Sequence, residues 1–353
     1  ALLVFLWVAF VIACFFGAYV GADRAEGEPD AFRSLEALSK MLLLYFLGSI
    51  CIDRERRLRV LFLSFAACVG WLAFSAYLQE AIEGVGRRVV GAVNQDGLGR
   101  WSDPNYFAAL FVVGLPVLWH LGFALKNRFA RLACWLVIPL ALPVVFWTGS
   151  RGGLLSLALV TLLLALRSRY KLLGLLFVPF VVGVFLVAGN EVAFERADSI
   201  AQYKDDDSAL DRLDAARAAI RMIIAHPLFG VGPGSFLAAF PNFSNQVPLV
   251  AHNTLLQITA EAGVPAGLAT LAYILHCLHR LWTNGSRLRR LLPKAHDSLY
   301  WMNEAALGAL VGFSACAMFL SLQLFHLLYL VCLFAGSVIY LGDRRIATIE
   351  AAT

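Results

Sequence analysis

Eight strongly apolar stretches of this chain, 15 to 38 residues long, carry no charged side chain: 1–22, 60–79, 104–125, 132–150, 152–166, 172–190, 262–279 and 305–342. A helix that crosses a bilayer needs about 20 mainly apolar residues, and it alone satisfies the backbone where there is no water. The 38-residue run is too long for one crossing and fits two helices with a tight turn near Leu322–His326. A weaker helix, about 36–52, carries Glu36 and Lys40 near one end. The pattern predicts about ten membrane helices. Composition agrees: 60% of residues are apolar and 15% charged, against about 45–50% and about 25% in soluble globular chains. Those values exclude a water-soluble enzyme and a disordered or fibrous protein. The fold class is an all-α polytopic integral membrane protein. No internal repeat or inverted symmetry points to a transporter.

The seven cysteines lie in or beside apolar stretches, show no CxxC pair and read as small apolar residues. The chain opens at Ala1 inside an apolar run that lacks a basic front and is long enough to span, which is not the pattern of a signal peptide. A missing start is expected there. Basic residues set the direction, because short loops rich in Lys and Arg stay on the inner side. With the N-terminus inside, the inner loops hold 17 of the 29 basic residues: Arg54, Arg56, Arg57, Arg59; Lys126, Arg128, Arg131; Arg167, Arg169, Lys171; Arg280, Arg287, Arg289, Arg290, Lys294; Arg344, Arg345. Every inner loop is then basic.

Three parts follow: an N-terminal bundle over 1–190, a large outer connection over 191–251, and C-terminal spans over 252–353. The outer connection holds Asp205, Asp206 and Asp207, then an amphipathic stretch to His226 with Ser208 as an expected N-cap. Leu213, Ala216, Ile220, Ile223 and Ile224 recur at helical spacing, which predicts a helix lying on or between the spans. A second outer loop, 81–103, holds Arg87, Arg88 and Arg100 and leads into Trp101–Asn105.

A few polar residues sit where a membrane helix has no structural use for them. Arg151 lies in Thr148-Gly-Ser-Arg-Gly-Gly153, a tight outer turn at the start of a span. It either snorkels to lipid phosphate or binds an anion. For the second role, a helix N-terminus adds positive potential and the guanidinium adds a planar fork. His252 precedes Asn253, an expected N-cap of the next span, where a helix N-terminus disfavours the protonated imidazole. It is either an interfacial hydrogen-bonding residue or a general base. His326, by an outer turn, is the second candidate, and His226 before Pro227 reads as helix-terminating. On the outer helix, Arg217 and Arg221 share a face with Asp214 three residues before Arg217, an intrahelical charge ladder. Arg212 points elsewhere and is open to either role. Gly230-Val-Gly-Pro-Gly234 lacks a following Lys-Ser/Thr and reads as turn chemistry rather than a phosphate loop. Glu261, inside a span beside Gly263 and Pro265, either bonds backbone freed at a kink or lines a polar cavity. No metal site is indicated. The cations suit a phosphate or pyrophosphate held at the outer membrane surface.

These residues resemble the O-antigen ligase/polymerase superfamily. Thr-Gly-Ser-Arg-Gly-Gly at the head of a span carries the resemblance, as do "RLDAARAAIRMIIAHPLFGVGPGSF", "AHNTLLQITAEAGVPAG" and Asp103-Pro-Asn-Tyr-Phe-Ala108. It covers about 100–270. The resemblance implies a glycosyltransferase of the GT-C type with a helical periplasmic loop, in the bacterial inner membrane. Such an enzyme takes a glycan from undecaprenyl pyrophosphate and joins it to a sugar of lipid A-core, completing lipopolysaccharide. It implies an inverting reaction without metal or other cofactor, and partners among membrane lipids but no nucleic acid. It implies His252 as the base and Arg151 and Arg212, with Arg217, as pyrophosphate ligands. Asn253, Asp103, Asn105, Tyr106 and His326 would support them. It also implies about twelve spans, so that ten here point to a missing pair at the front.

Three functions stay open: the ligase; a polymerase or protein O-oligosaccharyltransferase using the same lipid donor; and a non-enzymatic transporter of lipid-linked sugars. A polymerase calls for a second outer arginine cluster, for which Arg87, Arg88 and Arg100 could serve. A transporter calls for charges along a path through the bilayer, and only Glu261 lies deep.

Overall fold

The computed structural model describes residues 2–22, 30–83, 103–189, 194–195, 207–291 and 297–352, with the side chains of 207–209 outside that set. Twelve helices account for most of them: α1 Leu2–Phe16, α2 Ala31–Cys51, α3 Glu55–Glu83, α4 Pro104–Ala124, α5 Arg128–Trp147, α6 Arg151–Arg167, α7 Lys171–Ala188, α8 Asp207–Ala225, α9 Phe236–Ala239, α10 Thr254–Leu291, α11 Ser298–Ala317 and α12 His326–Glu350. No strand occurs among the described residues. All ten segments expected to cross the membrane are helical. Seven of them, α2, α3, α4, α5, α7, α10 and α12, are long and apolar enough to do so. The protein is a multi-pass, all-α membrane protein.

The helix starts are written in the sequence. An Asp, Asn or Ser just ahead of a helix can accept a backbone N–H that the first turn leaves unbonded. Asp30 does this for α2, accepting from Arg33 N at 2.7 Å. Asp103 does so for α4, Asn127 for α5 and Ser150 for α6. Asp297 serves α11, accepting from Leu299 N at 2.9 Å. Helix α8 departs from the expectation: it includes Asp207, so Ser208 lies within the helix rather than at its cap.

The chain forms two compact units, each assembled from three stretches. The first takes residues 1–47, 202–276 and 317–329. Its core joins Ala215, Ala218, Ala219 and Met222 of α8 to Val231, Phe236, Ala239, Phe240, Ala251 and Ala260. The face α8 buries is therefore its alanine face. The expected stripe is mostly turned the other way, with Leu213, Ile220 and Ile224 exposed at 48%, 47% and 74%. Small side chains let α8 settle closely on the 231–240 segment, and the longer aliphatics are left on its outer surface. Only Ile223 of the stripe's long aliphatics packs against the core.

The second unit takes residues 48–201, 277–316 and 330–353. Helix α4 is its centre, buried along almost its whole length and packed on α3, α5 and α6. Gly308 of α11 faces Pro116 of α4 so closely that a Cβ would come within 2.5 Å of the proline ring. Small residues allow this approach where apolar tails give helices no other reason to associate. Among the described residues, one buried ion pair crosses the unit. Arg167 at the end of α6 grips Glu304 of α11 with both prongs, Nε to Oε2 at 2.9 Å and Nη2 to Oε1 at 2.7 Å. The guanidinium also lies 4.3 Å from the ring centroid of Trp282.

Candidate functional site

The features singled out in the first unit gather around a break in α10. Gly263 interrupts that helix with φ 86° and ψ 167°, a conformation that only glycine adopts easily. A break inside a membrane helix leaves carbonyls without their helical partners. The Gly230-Val-Gly-Pro-Gly234 loop supplies replacements: Val231 N donates to Ala260 O at 2.8 Å and Gly232 N to Glu261 O at 2.9 Å. Beyond the break, Val264 N donates to Pro227 O at 2.8 Å. The loop is thus a clasp on the broken helix, and turn chemistry is its role. Its three glycines hold positive φ, and a Cβ on Gly230 would strike the Ala260 carbonyl. The loop's other edge pairs with the residues after α1, with Tyr19 N donating to Val231 O at 2.9 Å.

His252 stands one residue before the cap of α10. Among the described residues it is the only non-glycine with positive φ, at 49°. Left-handed backbone disfavours a side chain and persists where surroundings impose it, often at functional sites. Those surroundings are visible on both sides. Before His252, the buried Ala251 donates its N–H to Gln257 Oε1 at 2.9 Å. After it, Asn253 Oδ1 accepts from Leu256 N at 3.0 Å, the expected cap. Thr254 Oγ1 then donates to Leu320 O at 2.7 Å and accepts from Leu322 N at 2.9 Å. Gln257 also accepts from Ser321 Oγ at 3.1 Å, and its Nε2 donates to Glu261 Oε1 at 2.6 Å. Thr254, Gln257, Glu261 and Ser321 are all buried. His252 itself is half-buried.

The other expected site residues fall as follows. In the first unit, Arg212 is half-buried and flanks the alanine face of α8, one turn before Ala215. Arg217 points away from that face, exposed, and pairs with Asp214 at 2.8 Å, as its spacing predicted. Arg221 donates to Phe243 O at 2.7 Å and so fastens the loop after α9. His226 follows the last residue of α8, edge-on to Tyr19 at 5.9 Å. His326 is exposed at the first position of α12. In the second unit, Arg151 is half-buried at the first position of α6. Ser150 caps that helix, accepting from Gly153 N at 3.1 Å, and Gly149 turns the chain with φ 58°. Asp103 Oδ1 accepts from Asn105 N at 2.7 Å and Asn105 Nδ2 at 3.0 Å, a cap on α4, with Tyr106 half-buried in the next position. Arg87, Arg88, Arg100, Asp205, Asp206 and the side chain of Asp207 lie outside the described residues.

The sequence reading passed over Thr254, Gln257 and Ser321. The first two carried a usable signal. Thr254, Gln257 and Glu261 fall three and four residues apart, a polar line down one face of an otherwise apolar span.

A polytopic helical membrane protein with a broken span, and a histidine held in a strained turn ahead of it, is the class that fold and site define. Within it, residues 136–271 match the O-antigen ligase family, from α5 to the second half of α10 beyond its break. The matched segment contains Arg151, Arg212, Arg217, His252, Gln257 and Glu261. No curated protein matches the chain.

Proposed function

We propose that the protein is a GT-C-type glycosyltransferase, an O-antigen ligase. It takes a glycan from undecaprenyl pyrophosphate on the periplasmic face of the bacterial inner membrane and joins it to a sugar hydroxyl of lipid A-core. The observation that carries the reading is the His252 turn, strained, held on both sides and inside the segment that matches the O-antigen ligase family. In this reading His252 removes the proton of the acceptor hydroxyl. The acceptor oxygen attacks the anomeric carbon as the bond from that carbon to the phosphate oxygen breaks, and one displacement inverts the configuration. Undecaprenyl pyrophosphate leaves with the bonding pair, and the imidazolium holds the proton until it passes to solvent. The leaving group is already fair, so the protein supplies mainly position, charge and one base. Arg212 on α8 is proposed to bind the departing pyrophosphate, while Arg217, on another face of the helix, stays in its pair with Asp214. Arg151, in the second unit, is proposed as a phosphate ligand on its own grounds: the N-terminus of α6 and a planar fork both favour phosphate.

The test uses purified protein in detergent with an undecaprenyl-pyrophosphate glycan, lipid A-core and EDTA, comparing wild type with His252→Ala. Glycan on the core from wild type, and at least about 10²-fold less from the variant, is the expected result. Glycan lengthened on its own lipid with the core left bare would make the protein a polymerase. Undiminished transfer by His252→Ala would remove the base from the mechanism.

A further inference from the structure

We infer that Gln257 is the positioning residue of the proposed transfer: its carboxamide, braced by Glu261 and Ser321, fixes the backbone turn that presents His252. The inference rests on the reading of His252 as the base. The orientation of the amide is dictated by its neighbours. Ala251 N can only donate, so the oxygen of Gln257 must face it, and the nitrogen is then turned to the Glu261 carboxyl. Ser321 donates to the same oxygen. One buried side chain, six residues after Ala251 and one turn inside α10, therefore ties three segments together: the residue before His252, the first turn of α10 and the stretch ahead of α12.

The geometry explains why a glutamine is needed. A side chain that only filled the space would leave Ala251 N, buried in the core beside α8, without its acceptor. The turn at His252 has an unfavourable φ and would relax once that bond is gone. Relaxation moves the imidazole while leaving Arg212 of α8, the proposed pyrophosphate ligand, in place. A displacement of about 1 Å at a reacting group costs about 10²-fold in rate. The loss should therefore fall on kcat rather than on KM.

The test compares four proteins in the two-substrate assay: wild type, Gln257→Leu, Gln257→Glu, and the swap Gln257→Glu with Glu261→Gln. Thermal unfolding in detergent is followed for each. Gln257→Leu is expected to lower kcat about 10²-fold with KM for donor and acceptor within about twofold of wild type. Gln257→Glu alone brings two carboxyl groups into contact and is expected to be similarly impaired. The swap keeps one amide and one carboxyl in contact, still offers an acceptor to Ala251 N, and is expected to regain at least about tenfold over Gln257→Glu. Wild-type kcat in Gln257→Leu, a loss confined to KM, or a swap that folds at the wild-type temperature without regaining rate would each overturn the inference. If Gln257→Leu does not fold, Ser321→Ala decides: a smaller loss in kcat alone supports the inference, and an unchanged kcat overturns it. Failure of the base assignment looks different, since His252→Ala would then transfer as well as wild type.

Discussion

Arg151 separates the role of a charge from that of a shape. Its helix is capped by the hydroxyl of Ser150, a bond that remains whatever residue stands at 151. Replacement of Arg151 is expected to act on transfer, with the unfolding temperature in detergent followed beside it. Loss of a donor to a developing anion costs about 10²–10³ in kcat, and Arg151→Ala is expected to fall in that range. Arg151→Lys restores the charge but not the planar fork and is expected to remain about tenfold below wild type or worse. Steady-state transfer with the lipid-linked donor checks both, and a fully active lysine variant would reduce Arg151 to a point charge. Arg151 and His252 were visible in the sequence because each is polar where a span begins. Gln257 was passed over although it lies on a polar line with Thr254 and Glu261, because a neutral amide inside a helix looks tolerable until its partners are known. The left-handed backbone at His252 was not visible, since no residue type announces it there. Asn253 was legible as a cap because capping is a local interaction.

At the scale of elements, most of the apolar helices could be read from the chain because charge is costly in a bilayer and its absence marks candidate crossings, though α2 carries Glu36 and Lys40 and the charge-free stretch 222–260 is mostly loop and short helix. Which face a helix buries was harder. The aliphatic stripe of α8 has helical spacing, yet the alanines pack inward, because the partner surface rather than the stripe decides how closely the helix can sit. The clasp of the 230–232 loop on α10 is likewise tertiary: Gly263 and Pro265 announce a break, and only the fold shows what satisfies it. The same holds for Arg167 and Glu304, 137 residues apart. Glu304 is wholly buried, and Gly285 lies so close that any side chain there would meet both members of the pair. Removing one partner of a buried pair leaves a charge uncompensated and costs about 3–5 kcal/mol. Glu304→Ala is expected to lower the unfolding temperature in detergent accordingly. Arg167→Met combined with Glu304→Leu is expected to recover most of it, because apolar neighbours avoid the desolvation that the ion pair must offset. A double variant as unstable as Glu304→Ala would show that the pair stabilises beyond its own mutual attraction.

For the whole molecule, the quantity that matters most to the proposed reaction is direction in the membrane. The charge rule predicts that the short loops holding 17 of the 29 basic residues lie inside, and hence that the segment before His252 lies outside. Thiol labelling tests this in cells. Cys51 and Cys68 are exposed and the other five cysteines are buried, so replacing those two by alanine gives a quiet background. Lys126 lies exposed between α4 and α5, and Gln246 lies exposed six residues before His252. The Gln246 backbone N–H bonds to Ser244 Oγ, a contact that a new side chain leaves alone. In spheroplasts a membrane-impermeant maleimide is expected to label Gln246→Cys at once and Lys126→Cys only after lysis. A reversed pattern would carry His252 to the cytoplasm. The lipid-linked donor and the lipid A-core acceptor would then both have to be used on the inner face, and the periplasmic ligase reading would fall even with the His252 turn intact. The expected pattern would put the base on the side that the proposed ligase reaction requires.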